Sequence, residues 1–299
     1  MYLITGSTGN IGKIVGRNLI LNNQKIRVVG RHEDKIRELY DMNAETFVGD
    51  LTDREFVMKA FDGITTAFCM IPTYLQAQDI RTYQQKIGQN YLDAVKENGV
   101  KNVILLSSIG AHIRNGCGVV DGLADLELFF SNLPEVNVLN LRPGAFMENI
   151  YTQIPMIKNS GIVGSAVKGE MKFPFVATID IAAVIVRHLL ELDFRGNTVE
   201  YVLGPRDLNY FEITSILSRA MDMQDLKYVQ YSDENALMEM VQSGMVSERV
   251  AKSFVQMTDC FNSGEAFNAH TRTPENSTPT TFEEFARNFV YAYQHSTVS

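Results

Sequence analysis

The opening Met1-Tyr-Leu-Ile-Thr-Gly-Ser-Thr-Gly-Asn-Ile-Gly12 constrains the fold of this chain more than any other stretch. Residues 1–4 are an apolar run that reads as a buried strand. Gly6, Gly9 and Gly12 follow at three-residue spacing, and Ile14, Val15, Leu19, Ile20 and Leu21 then recur with helical period over residues 13–21. Strand, glycine turn and helix in that order bring backbone N–H groups and a helix N-terminus to one point, where a pyrophosphate can sit. Gly6 permits the tight turn, Gly9 lets a phosphate approach the backbone, and Gly12 lets the helix pack close to the strand. A glycine-rich turn that binds no nucleotide is the bland alternative, and the strand–turn–helix context argues against it.

The alternation continues. Strands are expected over residues 25–29, 46–48, 65–71, 102–106 and 136–141. Helices are expected over 33–42, 53–61, 77–98 and 123–133, with Thr52 or Asp53 as a cap and Gly99 as a stop. Such a pattern implies right-handed βαβ crossovers and a doubly wound parallel sheet, with ligands bound beyond the carboxyl ends of the strands. After Gly144 the pattern loosens into helices over 148–159, 181–192, 211–221, 235–242, 248–260 and 282–293. Strands at 198–203 and 227–231 and a polar loop at 270–281 complete this half, and Asp180 is placed to cap the helix that follows it. We read residues 1–150 as a Rossmann-type domain. Residues 151–299 read as a smaller, mostly helical substrate or partner region that shares the sheet and lacks a core of its own.

The formal net charge of −8 argues against broad nucleic-acid binding. No apolar run reaches the ~18–20 residues of a membrane span, and the chain starts on a strand with no secretory signal in view. Cys69, Cys117 and Cys260 are odd in number and far apart, which fits a reducing, cytoplasmic setting. No metal-ligand spacing is present, so no structural metal is expected.

With these residues in view, the chain resembles the NmrA-like group of atypical short-chain dehydrogenase/reductases over nearly its whole length. The likeness rests on Thr5–Gly12, Gly30-Arg31, Gly49-Asp-Leu51, Leu105-Leu-Ser-Ser108, Leu141-Arg-Pro-Gly-Ala-Phe-Met-Glu-Asn149, Thr178-Ile-Asp-Ile-Ala182 and Thr278-Pro-Thr-Thr-Phe-Glu-Glu-Phe285. It implies a nicotinamide dinucleotide cofactor held by Gly6, Ser7, Thr8, Gly9, Asn10, Ile11 and Gly12. Arg31 stands where NAD-binding relatives place a ribose-binding carboxylate, and a guanidinium suits a 2′-phosphate, so NADP(H) is the expected cofactor, with Lys35 adding charge. Asp50 and Leu51 are expected at the adenine, although Asp50 also suits a helix cap. Met70, Ile71 and Pro72 are expected along the ribose and pyrophosphate, with Thr73 and Tyr74 reaching the nicotinamide side. Ser107 and Ser108 fall beside the nicotinamide, as turn chemistry or as catalytic groups. Pro143, Gly144, Phe146 and Asn149 are expected to wall its pocket, and Phe146 equally suits plain core.

One element of the superfamily is missing. Typical members carry Tyr-x-x-x-Lys, the tyrosine donating a proton to the carbonyl oxygen. None of the twelve tyrosines has a lysine four residues on, and the aligned positions hold Val119 and Leu123. The glycine-rich stretch 112–122 between strand and helix reads as a flexible loop, in which His112 or Arg114 is a substitute donor; Tyr74 and Ser108 are further candidates. Two functions stay open: an NADPH-dependent reductase of a quinone-like or dye-like acceptor, and a non-catalytic NADP(H) sensor acting on a regulatory protein partner. A sugar-nucleotide epimerase is disfavoured by the missing dyad. The expected partners are thus a small-molecule acceptor or a protein, with no nucleic acid or membrane, for a monomer or homodimer.

Overall fold

The structure is a computed structural model and describes residues 1–296. In the first half β1 (Tyr2–Ile4), β2 (Ile26–Gly30), β3 (Glu45–Val48), β4 (Thr66–Cys69), β5 (Asn102–Leu106) and β6 (Asn137–Pro143) alternate with α1 (Asn10–Leu21), α2 (Glu33–Asp41), α3 (Arg54–Ala60), α4 (Ile80–Glu97) and α5 (Asp121–Phe130). Then come β7 (Ala145–Phe146), α6 (Ile154–Ser160), β8 (Ile162–Ser165), β9 (Phe173–Val176), α7 (Thr178–Glu191), β10 (Asn197–Val202), β11 (Asp207–Leu208), α8 (Tyr210–Met221), β12 (Lys227–Gln230), α9 (Asp233–Gln242), α10 (Glu248–Asn262) and α11 (Phe282–His295).

Seven strands form one parallel sheet in the order β10-β6-β5-β4-β1-β2-β3. The chain runs outward from β1 to β3, then restarts at β4 on the other side of β1. The crevice beyond the ends of β1 and β4 is therefore the switch point at which such sheets bind ligands. Every residue of β2 and β4 is buried, as expected of strands covered on both faces. On one face Leu3, Ala67 and Val103 pack with Phe61, just after α3, and with Tyr91, Leu126 and Phe130 of α4 and α5. On the other, Ile4, Val28 and Ile104 meet Val15 and Leu19 of α1 and Ile181, Ile185 and Leu189 of α7. β10 belongs to the second half of the chain and lies beside β6.

The second half also holds an apolar cluster of its own, around Phe173, Phe175, Phe282, Phe285 and Phe289. It is less helical than the hydrophobic periodicity suggests, because β7, β9 and β11 form one small sheet and β8 and β12 another. Gly164 and Pro174 sit inside two of these strands, residues that mask a strand pattern. Asp180 is not the helix cap. It lies inside the first turn of α7, and its carboxylate accepts from Thr280 N–H (3.0 Å) and Oγ1 (2.8 Å), tying α7 to the segment before α11.

The stretch after β5 is not a loose loop either. It forms short helical turns at Ala111–Ile113 and Gly118–Val120, and the Asp121 carboxylate accepts from the amides of Gly116 and Cys117. Cys117 is joined to Cys260 of α10 in a disulfide across 143 residues, so the cysteines are not the three separate thiols that a reducing cytosol suggests. Among the described residues no helix is long and apolar enough to cross a membrane.

Candidate functional site

The glycine turn is laced to the end of β4. The Thr5 hydroxyl accepts from Met70 N–H at 2.8 Å and faces the Phe68 and Met70 carbonyls. Gly6 has φ +62°, and a Cβ there would meet Met70 Sδ at 2.3 Å. A Cβ on Gly12 would fall 2.3 Å from the Gly6 carbonyl oxygen, so the helix is as close to the turn as its backbone permits. Gly9 differs. It is extended (φ −89°, ψ 173°), and a Cβ there would meet nothing nearer than Gly6 O at 3.4 Å. The first helical bond of α1 is Lys13 N–H to Gly9 O (3.1 Å), and no side chain caps the helix. The open amides of this first turn face the space above Gly9, which fits a pyrophosphate.

Side chains of the turn have separate duties. Thr8 and Asn10 are exposed at its lip. Ser7 is buried, and its hydroxyl donates to Val29 O at 2.8 Å, so only its backbone faces a ligand. Ile11 is core and likewise offers only backbone.

Arg31 and Lys35 stand exposed beyond β2, and neither has an ion-pair partner among the described residues. Asp50 is exposed beyond β3 and accepts from Thr52 N–H at 2.8 Å, whereas Asp53 caps α3. Leu51 is buried, and its carbonyl accepts from Asn90 Nδ2 at 2.8 Å. Tyr83 of α4 lies within reach of both charges: burial pushes its hydroxyl up, Arg31 pulls it down and Asp50 pushes it up. Tyr74 packs its ring 5.4 Å from that of Tyr83. It therefore lies near Tyr83 and the charges of Arg31 and Asp50 that act on it.

Beyond β4, Met70 lies over Gly6, its carbonyl accepts from Tyr91 Oη at 2.8 Å, Ile71 is buried and Pro72 is half-buried. Beyond β5, Ser107 is 3% exposed and its hydroxyl donates to the Glu127 carboxylate. Glu127 is in turn held by both arms of the Arg142 guanidinium (2.9 and 2.6 Å), which also donates to Tyr201 Oη at 2.9 Å. The Ser107 hydroxyl is thus tied to the Glu127 carboxylate. Ser108 Oγ donates to the neighbouring Ile109 carbonyl at 2.9 Å. His112 Nε2 lies between Glu265 O and Asn268 Oδ1 (3.2 and 3.1 Å), and its shielded Nδ1 has no partner among the described residues. Val119 and Leu123, where the dyad would stand, pack into apolar clusters.

Beyond β6, the Pro143 carbonyl accepts from Ile109 N–H at 2.9 Å, and Phe146 packs against the α1–α7 core. Asn149 is exposed. The Glu148 carboxylate accepts from Thr178 N–H (3.0 Å) and Oγ1 (2.6 Å) and joins the loop to α7. The Glu127–Arg142–Tyr201 network escaped the sequence. Its members lie 15 and 59 residues apart on three elements and share no period.

A family model described as NAD(P)H-binding matches residues 6–121. Festuclavine synthase I of Penicillium roqueforti is 30% identical over 204 residues, 66% of this chain and 67% of its own. NAD(P)H azoreductase of Xenophilus azovorans is 27% identical over 250 residues, 82% of each chain. Among solved structures, the NADPH-dependent quinone oxidoreductase of Escherichia coli, complexed with NADPH, superposes with a TM-score of 0.81 at 19% identity, covering 96% of this chain and 99% of that one. The chain belongs to the NmrA-like group of atypical short-chain dehydrogenase/reductases, an NAD(P)H-binding reductase family.

Proposed function

We propose that the protein is an NADPH-dependent reductase of a conjugated acceptor, a quinone or an azo-type dye. The single observation that carries the reading is Arg31, an exposed guanidinium beyond β2 with no ion-pair partner among the described residues, near enough to act on Tyr83 together with Asp50. A planar fork with free donors matches the 2′-phosphate that distinguishes NADPH from NADH. Lys35 adds charge, Asp50 and the Leu51 amide hold the adenine, and the amides above Gly9 hold the pyrophosphate. Ile71, Pro72, Pro143 and Phe146 supply apolar walls on the way to the nicotinamide.

When bound, the cofactor supplies a hydride. In this reading no acid is assigned to the other half of the reaction. Ser107 is locked to Glu127, His112 to the Glu265 turn, and Val119 and Leu123 carry no proton. A simple ketone becomes an alkoxide as hydride arrives, and that charge calls for a positioned donor, typically worth ~10²–10⁴-fold in rate. A quinone or dye spreads the charge over a conjugated system, and water protonates the product. The relatives named azoreductase and quinone oxidoreductase support this choice of acceptor.

The test is NADPH oxidation against a panel of quinones, azo dyes, ketones and aldehydes. Turnover confined to the conjugated acceptors is expected. Brisk ketone reduction would mean that an acid is present after all. Tight NADPH binding with no turnover on any acceptor would favour a sensor.

A further inference from the structure

α10 belongs to the second half of the chain, packs against the segments that follow β4 and β5, and is fastened at both ends. At its start, Ser247 N–H donates to Leu75 O and Ser247 Oγ to Ala77 O, both at 2.8 Å, while Gln76 Nε2 reaches Gly244 O at 3.0 Å. The loop after β4 thereby grips the turn between α9 and α10, and Ala77, Ile80 and Val250 are buried together beneath it. At its end, Cys260 is bonded to Cys117 in the segment after β5. Between these points contact is backbone to backbone: a Cβ on Gly118 would fall 1.9 Å from Ser253 O. Both gripping loops leave the carboxyl ends of sheet strands, so α10 walls the crevice where ligands bind.

The two fastenings differ in strength. The first is a handful of hydrogen bonds, each of small net worth, over a small apolar cluster. The adjoining α9 buries no side chain, and Met238 and Met245 are exposed beside it. The second is covalent, and while it stands α10 cannot leave the wall. We propose that Cys117–Cys260 is a thiol–disulfide exchange site for a dithiol reductant, and that its reduction releases the α9–α10 arm from the crevice. The regulatory meaning rests on the crevice being the reductase site; the exchange chemistry does not.

Both cysteines are buried, but Cys260 keeps 7% residue exposure at the end of α10 whereas Cys117 keeps none, so we place the attack at Cys260. A thiolate of the dithiol attacks Cys260 Sγ, the disulfide breaks, and Cys117 leaves as a thiolate that takes a proton. The second thiol of the reductant then attacks the mixed disulfide and departs as its own disulfide, and Cys260 takes a proton. Two electrons pass from reductant to protein, and in the reverse path the protein thiols pass them back to the oxidised dithiol. Cys69 stays outside this chemistry: it is fully buried in β4, and burial pushes its thiol well up.

Amide hydrogen exchange on the full chain, with and without dithiothreitol and with no cofactor or acceptor present, tests the proposal. Reduction should speed exchange across residues 233–262 by about tenfold or more while leaving β1 and β5 unchanged, as local release requires. Iodoacetamide should then add two groups to the folded protein, not three. Cys260→Ser should show the fast pattern with or without reductant. Unaltered exchange in α10, exchange that rises throughout the sheet, or a bond that dithiothreitol cannot open in the folded protein would each overturn the proposal. None of these readouts depends on turnover, so a failure here leaves the reductase reading standing, and an enzyme inert on every acceptor leaves this result intact.

Discussion

At the scale of single residues, the positions that face outward were legible and the commitments of inward hydroxyls were not. Arg31 is readable because its place is set by a short local count from the glycine turn, and it stays exposed, with no ion-pair partner among the described residues. Ser7 and Ser107 look equally available in the sequence, yet Ser7 is tied to Val29 and Ser107 to Glu127, partners 22 and 20 residues away that only the packed sheet brings near. The same distinction shapes the first prediction. Arg31→Ala removes a charge-assisted contact to the 2′-phosphate without disturbing any protein–protein bond. Because the guanidinium is exposed and screened, the loss should lie at the low end for hydrogen bonds to charged groups, about 1.5 kcal/mol or roughly tenfold in Kd. Calorimetric titration should show this loss for NADPH and almost none for NADH. An equal loss for both would sink the 2′-phosphate assignment.

At the scale of elements, long periodic segments declared themselves and short ones did not. α4 carries its apolar face over 18 residues with Asp79 as cap, and β5 lies at residues 102–106 as its apolar run indicates. β7 and β11 are two residues each and exist only because β9 lies between them. The corner from α7 into β10 was also hidden. There the buried His188 in the last turn of α7 places Nδ1 2.5 Å from Asp193 and Nε2 2.8 Å from Glu200. Burial lowers the imidazole pKa and Arg187 lowers it too, but the two carboxylates outweigh them and the net shift is upward. The folded state therefore binds this proton more tightly than the unfolded chain. The resulting stability is fully present below the unfolded value of about 6.5 and is lost as pH rises through the folded pKa. His270 works the other way, since burial drives its pKa down. The difference between proteins is thus the readout. In urea unfolding from pH 5.5 to 8.5, His188→Gln should give up more stability relative to wild type at the acid end than at the alkaline end. A pH-independent difference would mean that the carboxylates do not hold the proton.

At the scale of the whole molecule, the parallel sheet, its switch point and the crevice follow from alternation alone, because each βαβ unit has one allowed hand and ligands gather where strand order reverses. The packing of α10 on the segments after β4 and β5 does not follow, since it depends on contacts such as Cys117–Cys260 between segments 143 residues apart. Fold and ligand site can nevertheless be separated by experiment, because different residues carry them. Glu127 and Arg142 are each 11% exposed and pair with one another. Glu127→Ala leaves a buried guanidinium without its partner, which typically costs about 3–5 kcal/mol and, at roughly 2–4 °C per kcal/mol for a chain of this class, lowers Tm by on the order of 10 °C. Gly9→Val should cost little, because the backbone there is extended and the added carbon opens onto space, meeting only Gly6 O at 3.4 Å. Ligand linkage reverses the ranking. NADPH at about 100 times its Kd should stabilise the wild-type protein by about 2.7 kcal/mol, enough to raise Tm by about 5 °C or more. Glu127→Ala should start from a lower Tm and keep that rise, because its bonds run to Ser107 and Arg142 and not to the glycine turn. Gly9→Val should start near the wild-type Tm and lose the rise, because its side chain fills the space above the α1 amides. Differential scanning fluorimetry with and without NADPH resolves all four quantities, and a Gly9→Val protein whose Tm still climbed with the cofactor would move the pyrophosphate away from the turn.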